Sequence, residues 1–323
     1  MGKKNIEAES NKPMNKSKTL YYFTNSYPYG IAEEWKKREL QVYVDYFDKI
    51  IVVPYWYAGN RNARPFIHPK IDYLQPLFPE KDVFRISIKF FLLVKSKHIL
   101  FFLREFFSAK VFLSKEKLIR WIIVSYNILK LFDSKVIKSI CADTNEVTCY
   151  FFWARGSAEM IPLMPKKIKI VCKFYNYDLY EDKWGYLPYQ KAQMNRSNYL
   201  VACSMDNYKY TLNKYPHVKD KLFIDLLGTA IPDAVVNKSE DGILRIVSCA
   251  FMETYKRIEL LIECLQYINI PIYWTHIGDG PMRKSFEDRM LQLTSINSNI
   301  SYEFKGVIPH DQLIPYYLSR PID

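Results

Sequence analysis

Glycine is scarce in this chain, with 10 in 323 residues, so any loop that approaches a ligand must be built largely without it. Six cysteines form no Cys-x-x-Cys pair and mostly lie in apolar runs. That pattern argues against zinc or a disulfide framework and reads as buried free thiols in a reducing compartment. The first 18 residues are polar and Lys/Asn-rich and lack the apolar core of a secretory signal, so they read as a flexible leader. Long apolar runs are missing too. Phe90–Val94 and Ile99–Leu103 are five-residue blocks separated by Lys95-Ser96-Lys97-His98, too short to cross a bilayer. No Asp-x-Asp pair stands out after a strand, so nothing calls for a metal.

What is present is apolar and aromatic. Hydrophobic residues make up 49% and aromatics 16%, with 26 Tyr and 20 Phe, enough for sizeable cores and two domains of ordinary size. The net charge of +12 is uneven: twelve Lys/Arg between Arg85 and Lys138 face only Glu105, Glu116 and Asp133. One basic surface is therefore expected, rather than a generally basic protein. Within it, Arg85–Phe107 reads in two ways: a helical pair packed on a sheet, or a Phe/Leu and Lys segment lying at a membrane surface. Its Phe residues come in apolar blocks, not as spaced single platforms, which argues against nucleic-acid binding.

The chain alternates strands and helices. Thr19–Phe23, Lys49–Tyr55, Thr148–Trp153, Lys167–Phe174, Tyr199–Ser204 and Leu222–Leu227 read as strands. Helices are expected at Glu33–Phe47, Lys117–Leu131, Gly156–Met164, Tyr186–Ser197 and Asp206–Tyr215. After the polar stretch Pro232–Gly242 the style recurs: strands Leu244–Phe251, Ile272–Ile277 and Ile300–Phe304, with helices Arg257–Ile268, Pro281–Leu293 and His310–Leu318. The fold class is therefore α/β, with two Rossmann-like domains. Residues 1–18 are the leader, 19–231 the first domain, 232–243 the linker and 244–323 the second domain. The 86 residues from Lys238 to Asp323 fall short of the ~100–200 usual for a domain, so the second domain is expected to be incomplete.

The most informative stretch is Leu244–Pro281. A strand ending in Ser248-Cys249 leads through a polar turn to Lys256-Arg257 at the start of a helix. Helix N-termini attract anions, and two cations there suit a diphosphate, though a solvated helix start gives the same pattern. The next strand ends in Gly278-Asp279-Gly280, which reads either as a close-approach loop or as a plain turn. In the first domain, Asn25–Glu33 lies at the carboxyl end of a strand, where open α/β sheets bind ligands.

Taken in order, Ser248–Arg257, Trp274–Pro281, Tyr177–Glu181, Tyr186-Leu187-Pro188, Glu303–Gly306 and Tyr316-Tyr317 resemble the retaining glycosyltransferases of family 4. The likeness runs from Tyr21 to Asp323 and points to bacterial members that build cell-surface polysaccharide. It implies the GT-B architecture: an acceptor-side domain followed by a nucleotide-sugar-binding domain. It further implies sugar transfer with retention, from a nucleotide-sugar donor to a lipid-linked or polysaccharide acceptor, without metal or other cofactor. Lys256 and Arg257 would neutralise the leaving diphosphate; Ser248, Gly278, Asp279 and Gly280 would join them in binding the donor. Tyr175 and Asp178 would serve catalysis, and Gly30, Ala32 and Glu33 would form a loop facing acceptor or phosphate. The expected place is cytoplasmic, at the inner face of the cell membrane, with residues 85–138 as peripheral contact. Ala32 stands where the family has Gly and Tyr175 where it has His. The family's Glu-x7-Glu segment has no counterpart in the sequence. The alternative reading is therefore a truncated, non-catalytic remnant that keeps membrane or acceptor binding.

Overall fold

The computed structural model describes residues 17–30, 33–57, 59, 61–80, 84–226, 228 and 233–323. The chain divides into two compact units, Met1–Leu227 and Gly228–Asp323. The proposed leader falls, except for its last two residues, outside the described residues, as does Ala32.

The first unit is built on seven strands: β1 (Lys18–Thr24), β2 (Lys49–Pro54), β3 (Ile71–Tyr73), β4 (Glu146–Phe151), β5 (Lys169–Phe174), β6 (Tyr199–Ala202) and β7 (Leu222–Ile224). They form one sheet in the order β3-β2-β1-β4-β5-β6-β7. Every pairing is parallel. Parallel strands covered on both faces read as unbroken apolar runs, and β1 is buried from Thr19 to Thr24. Side chains alternate between the faces. Tyr21, Phe23, Cys149, Phe151, Cys172 and Phe174 point into one core, while Leu20, Tyr22, Tyr150 and Phe152 point into the other. In register, Phe23 pairs with Phe151, and their rings stack at 4.4 Å.

The first unit's helices are α1 (Lys36–Tyr43), α2 (Ile86–Val94), α3 (Ile99–Ser108), α4 (Lys115–Asp133), α5 (Lys135–Ala142), α6 (Asn176–Leu179), α7 (Glu181–Trp184), α8 (Gln190–Arg196) and α9 (Met205–Lys214). Serine N-caps start three of them: Ser114 accepts from Lys117 N, Ser134 from Ile137 N and Ser204 from Asn207 N. α4, 19 residues long, buries Trp121, Ile122, Val124, Tyr126, Ile128 and Leu131 against the sheet.

The second unit has strands β8 (Leu244–Cys249), β9 (Ile272–Ile277) and β10 (Ile300–Gly306), parallel in the order β10-β9-β8. Helices α10 (Ile258–Leu265), α11 (Arg283–Ile296) and α12 (His310–Leu318) accompany them. Its core gathers Met252, Ile258, Ile262, Trp274, Phe286 and Met290 with their neighbours. Burial of the thiols holds only in part: Cys149 and Cys172 are buried and Cys141 and Cys203 half-buried, but Cys249, at the end of β8, and Cys264, on α10, are exposed.

Several element boundaries differ from the sequence expectation for identifiable reasons. The first helix starts at Lys36, because Glu33–Trp35 form a turn held by the Glu33 side chain. Gly156–Leu163 is a 3-10 helix, with Pro162 denying it an interior amide. The stretch expected to be helical from Tyr186 becomes so only at Gln190, after Pro188 and the left-handed Tyr189 at φ 63°. Arg257 is also left-handed, at φ 56°, so α10 starts one residue later than expected.

Candidate functional site

The carboxyl ends of the parallel strands in the first unit open into a pocket of about 800 Å³. Asn25 follows β1, Tyr55 and Trp56 follow β2, Trp153, Arg155 and Gly156 follow β4, and Tyr177 and Asp178 follow β5. α4 closes the remaining side with Glu116, Ile119, Arg120, Ile123, Val124 and Asn127. Aromatic faces with a few convergent polar groups are the usual lining of a small-molecule site.

The polar groups of this pocket are unusually placed. Glu159 is 6% exposed, and burial raises its pKa to about 7 against the pull of Arg155, the Gly156 amide and Arg120. Asp178 is 2% exposed and accepts the amides of Ala154 at 2.7 Å and Tyr175 at 3.0 Å. Its pKa is still raised by burial, to about 6. Asp178 thereby ties the loop after β4 to the loop after β5. Arg155 lies 4.6 Å over the Tyr177 ring, and its buried Nη1 has no hydrogen-bond partner. A buried guanidinium nitrogen left unpaired is a site waiting for an acceptor. Arg120, by contrast, is fixed by donating to the carbonyls of Trp184 and Tyr186, both at 2.8 Å.

The loop after β1 is organised from within. Glu33, 4% exposed, accepts from Ser26 N at 2.6 Å, Tyr27 N at 2.8 Å and Trp153 Nε1 at 2.6 Å. Lys36, fully buried, pairs with it at 3.0 Å and sits 3.1 Å over the Phe152 ring. Burial alone would raise the Glu33 pKa, but Lys36, Trp153 and the two amides bring it below the ordinary value. Burial lowers that of Lys36 to about 8 although Glu33 opposes it. Glu33 is therefore an internal anchor of the loop, its carboxylate engaged by the protein's own donors. Gly30 is left-handed at φ 68° and donates to Asn62 O at 3.3 Å.

Tyr175 packs its ring against Phe152 and Trp153, with centroids 5.4 and 4.7 Å away. Its hydroxyl is buried without a hydrogen-bond partner. Burial, reinforced by Glu39 and Cys203, keeps it a neutral phenol.

In the second unit, Ser248 lies opposite His276 in the β8–β9 register. Trp274 Nε1 donates to Ser248 Oγ at 2.9 Å, and Ser248 Oγ is 2.8 Å from His276 Nδ1. His276 Nε2 is 3.1 Å from Ala250 O. One assignment satisfies the whole chain: Ser248 donates to Nδ1, and Nε2–H donates to Ala250 O. Burial lowers the His276 pKa, in keeping with that neutral ring. The Ser248 hydroxyl is thus engaged by Trp274 and His276.

Gly278, at φ 139°, has no room for a side chain: a Cβ would sit 1.9 Å from Ala250 O. At Gly280 it would sit 2.5 Å from Met252 O. Both glycines let the β9 loop press against the β8 loop, joined by Met252 N donating to Asp279 O at 2.9 Å. Close approach of backbone was expected at these positions; here the approaching group is the protein's own. Asp279 also accepts Gly280 N at 2.8 Å and pairs with Arg283 at 3.4 Å. Lys256 and Arg257 are exposed, with Lys256 5.4 Å from the Tyr255 ring centroid and Arg257 paired to Glu259 at 2.9 Å.

The candidate set thus divides between the units: Tyr175 and Asp178 in the first, Lys256 and Arg257 in the second. Arg120, Arg155 and Glu159 were not singled out from the sequence. The available signal was Trp153-Ala154-Arg155-Gly156, an arginine beside a glycine at the carboxyl end of a strand.

No family model matches the sequence, and no curated protein matches it either. Solved structures do. The lipopolysaccharide outer core galactosyltransferase WaaB, in its apo form, superposes with a TM-score of 0.52 at 11% identity, over 94% of this chain and 72% of WaaB. The Anabaena protein HepE, solved with UDP and glucose, gives 0.49 at 9% identity, over 90% of this chain and 69% of its own. UDP-N-acetylglucosamine 2-epimerase from Rickettsia bellii gives 0.42 at 11% identity, over 94% and 72%. The chain has the α/β fold of the GT-B glycosyltransferases.

Proposed function

We propose that this protein is a retaining glycosyltransferase that moves a sugar from a nucleotide-sugar to a lipid-linked or polysaccharide acceptor in cell-surface polysaccharide synthesis. The observation that carries the reading is the aromatic-walled pocket of the first unit, where Arg155 offers an unpaired donor beside two buried carboxyl groups with raised pKa values. A hydroxyl-rich acceptor suits it. Tyr55, Trp56, Trp153 and Tyr177 offer ring faces to the apolar side of a sugar, while Asn25, Asn127, Arg155 and Glu159 offer hydrogen bonds to its hydroxyls. Glu159, near its midpoint at neutral pH, can donate or accept.

In the second unit, Lys256 and Arg257 stand exposed before α10 and neutralise the departing diphosphate, so transfer needs no metal. Tyr175 supplies a neutral hydroxyl towards the transferred sugar. The protein works at the inner face of the cell membrane.

Calorimetric titration with UDP, GDP and their sugar conjugates tests the reading. At least one should bind saturably, and Lys256→Ala/Arg257→Ala should weaken it by about tenfold or more, since each charged hydrogen bond is worth about 1.5–3 kcal/mol. A folded protein that binds none would instead be a non-catalytic module. The inward commitment of Ser248 and the filled space beside Gly278 and Gly280 favour that second reading.

A further inference from the structure

Helix α2 is assembled the wrong way round for a helix packed on a protein core. Its lysine, Lys89, is 8% exposed and lies 5.2 Å from the Tyr126 ring centroid, and Leu93 is fully buried. Its other large residues, Ile86, Ile88, Phe90, Phe91, Leu92 and Val94, are between 37% and 55% exposed. Leu100 and Phe107 of α3 add 79% and 62%, and Phe112 and Leu113 just beyond add 57% and 70%. An exposed apolar helix face of this kind marks an interaction site. Cations surround it: Arg85 caps α2, Lys95 follows it 4.3 Å from the Phe91 ring centroid, and Lys97 lies in the turn to α3.

Beside this face lies a second cavity, of about 770 Å³, with Leu92 among its lining residues. Lys97, His98, Lys130 and Lys138 line it, against the single carboxylate of Asp133. Lys138 already reaches Asp133, 3.7 Å from its carboxylate and donating to its carbonyl at 2.9 Å. Apart from Ser96 and the Tyr126 hydroxyl the remaining lining is apolar, including Leu129, Phe132, Ile137 and Leu163. A cavity part cationic and part greasy, next to exposed Phe and Leu, matches an amphiphilic anion.

We propose that the first unit docks on an anionic phospholipid bilayer through the outward face of α2, with the Lys97–Lys138 cavity seating one lipid headgroup. Charge decides for a bilayer over a second copy of this chain. Two such faces brought together would oppose Arg85, Lys95 and Lys97 to their own kind, whereas an anionic leaflet complements them. Phe and Leu side chains supply the depth of insertion and the lysines hold the phosphate plane.

The same helix, α4, lines both cavities: Arg120 and Asn127 face the acceptor pocket, Leu129 and Lys130 the lipid one. At 1.5 Å per residue its 19 residues span about 28 Å, so docking keeps the acceptor pocket within one helix length of the lipid. The inference deepens the reading of a lipid-linked acceptor, and its test is made without nucleotide, so either can fail alone.

The experiment is flotation of the full chain with phosphatidylcholine vesicles, with and without phosphatidylglycerol, with sedimentation velocity and circular dichroism alongside. The protein should float only with phosphatidylglycerol. Phe90→Ser/Phe91→Ser and Lys97→Glu/Lys138→Glu should each lower binding about tenfold or more while leaving the circular dichroism unchanged. Inorganic phosphate should not displace the protein, because it lacks the acyl part. Equal flotation with both vesicles, or none, overturns the docking proposal, and self-association lost in Phe90→Ser/Phe91→Ser identifies a second copy as the occupant. Anionic binding indifferent to Lys97→Glu/Lys138→Glu overturns the headgroup seat.

Discussion

Glu159 shows how burial alone can set the pH behaviour of a site. Its folded pKa of about 7 lies above the ordinary 4.5, so the folded protein holds this proton more tightly than the unfolded chain. The stability gained is complete below the unfolded value and is lost as pH rises through about 7. Asp178, raised from 3.8 to about 6, acts in the same direction over a lower window. Glu159→Gln removes the larger of the two effects. Urea melts at pH 5 and pH 8 should show a loss of stability in the parent that is smaller in the variant by about 3 kcal/mol. An identical pH dependence in both proteins would mean that Glu159 titrates as a solvated carboxylate. Glu33 is the counterexample at the same scale. It is as buried as Glu159, yet three N–H donors and Lys36 hold it ionised. None of this was legible locally, since Trp153 lies 120 residues from Glu33.

At the scale of elements, the strands were the most readable part. Apolar runs such as Leu20–Phe23 and Ile50–Val53 need cover on both faces, which only a parallel sheet between helices gives. The roles of Ser248, Gly278 and Gly280 were not readable, because strand register decides them. Cys249 pairs with Ile277, so the residue after each meets across the sheet: Ala250 O faces Gly278. Gly278→Ala should therefore destabilise the second unit by about 2 kcal/mol or more, through both the contact and the φ of 139°. Thermal melting checks this, and an unchanged midpoint would show that the β8 loop can move aside. The outward face of α2 belongs here too. The sequence left open whether its Phe block packs inward or lies at a surface, because a helix apolar all round shows no preferred face. In the structure Lys89 and Leu93 take the inward positions, which leaves Phe90 and Phe91 outward.

For the whole molecule, the sequence suggested two domains through a recurrence of strand-helix pattern after a polar stretch, but the unequal solidity of the two compact units was not readable there. β1 is buried at six of seven positions and is paired on both sides. β8 has no fully buried residue, and among the described residues its one strand partner is β9. Its amides should exchange with deuterium faster than those of β1, which exchange mass spectrometry reads directly. Equal protection would mean that β8 opens only with the whole chain.

Thiol accessibility follows the same division. The two exposed cysteines, Cys249 and Cys264, are both in the second unit, while the four in the first are buried or half-buried. Alkylating reagents reach exposed thiols first. A brief exposure of the native protein to a maleimide dye therefore places fluorophores on the second unit without any engineering. One of them marks Cys249, the last residue of β8, from which the chain runs on to Lys256. The chain thus carries its own reporter beside the segment proposed to meet the donor diphosphate.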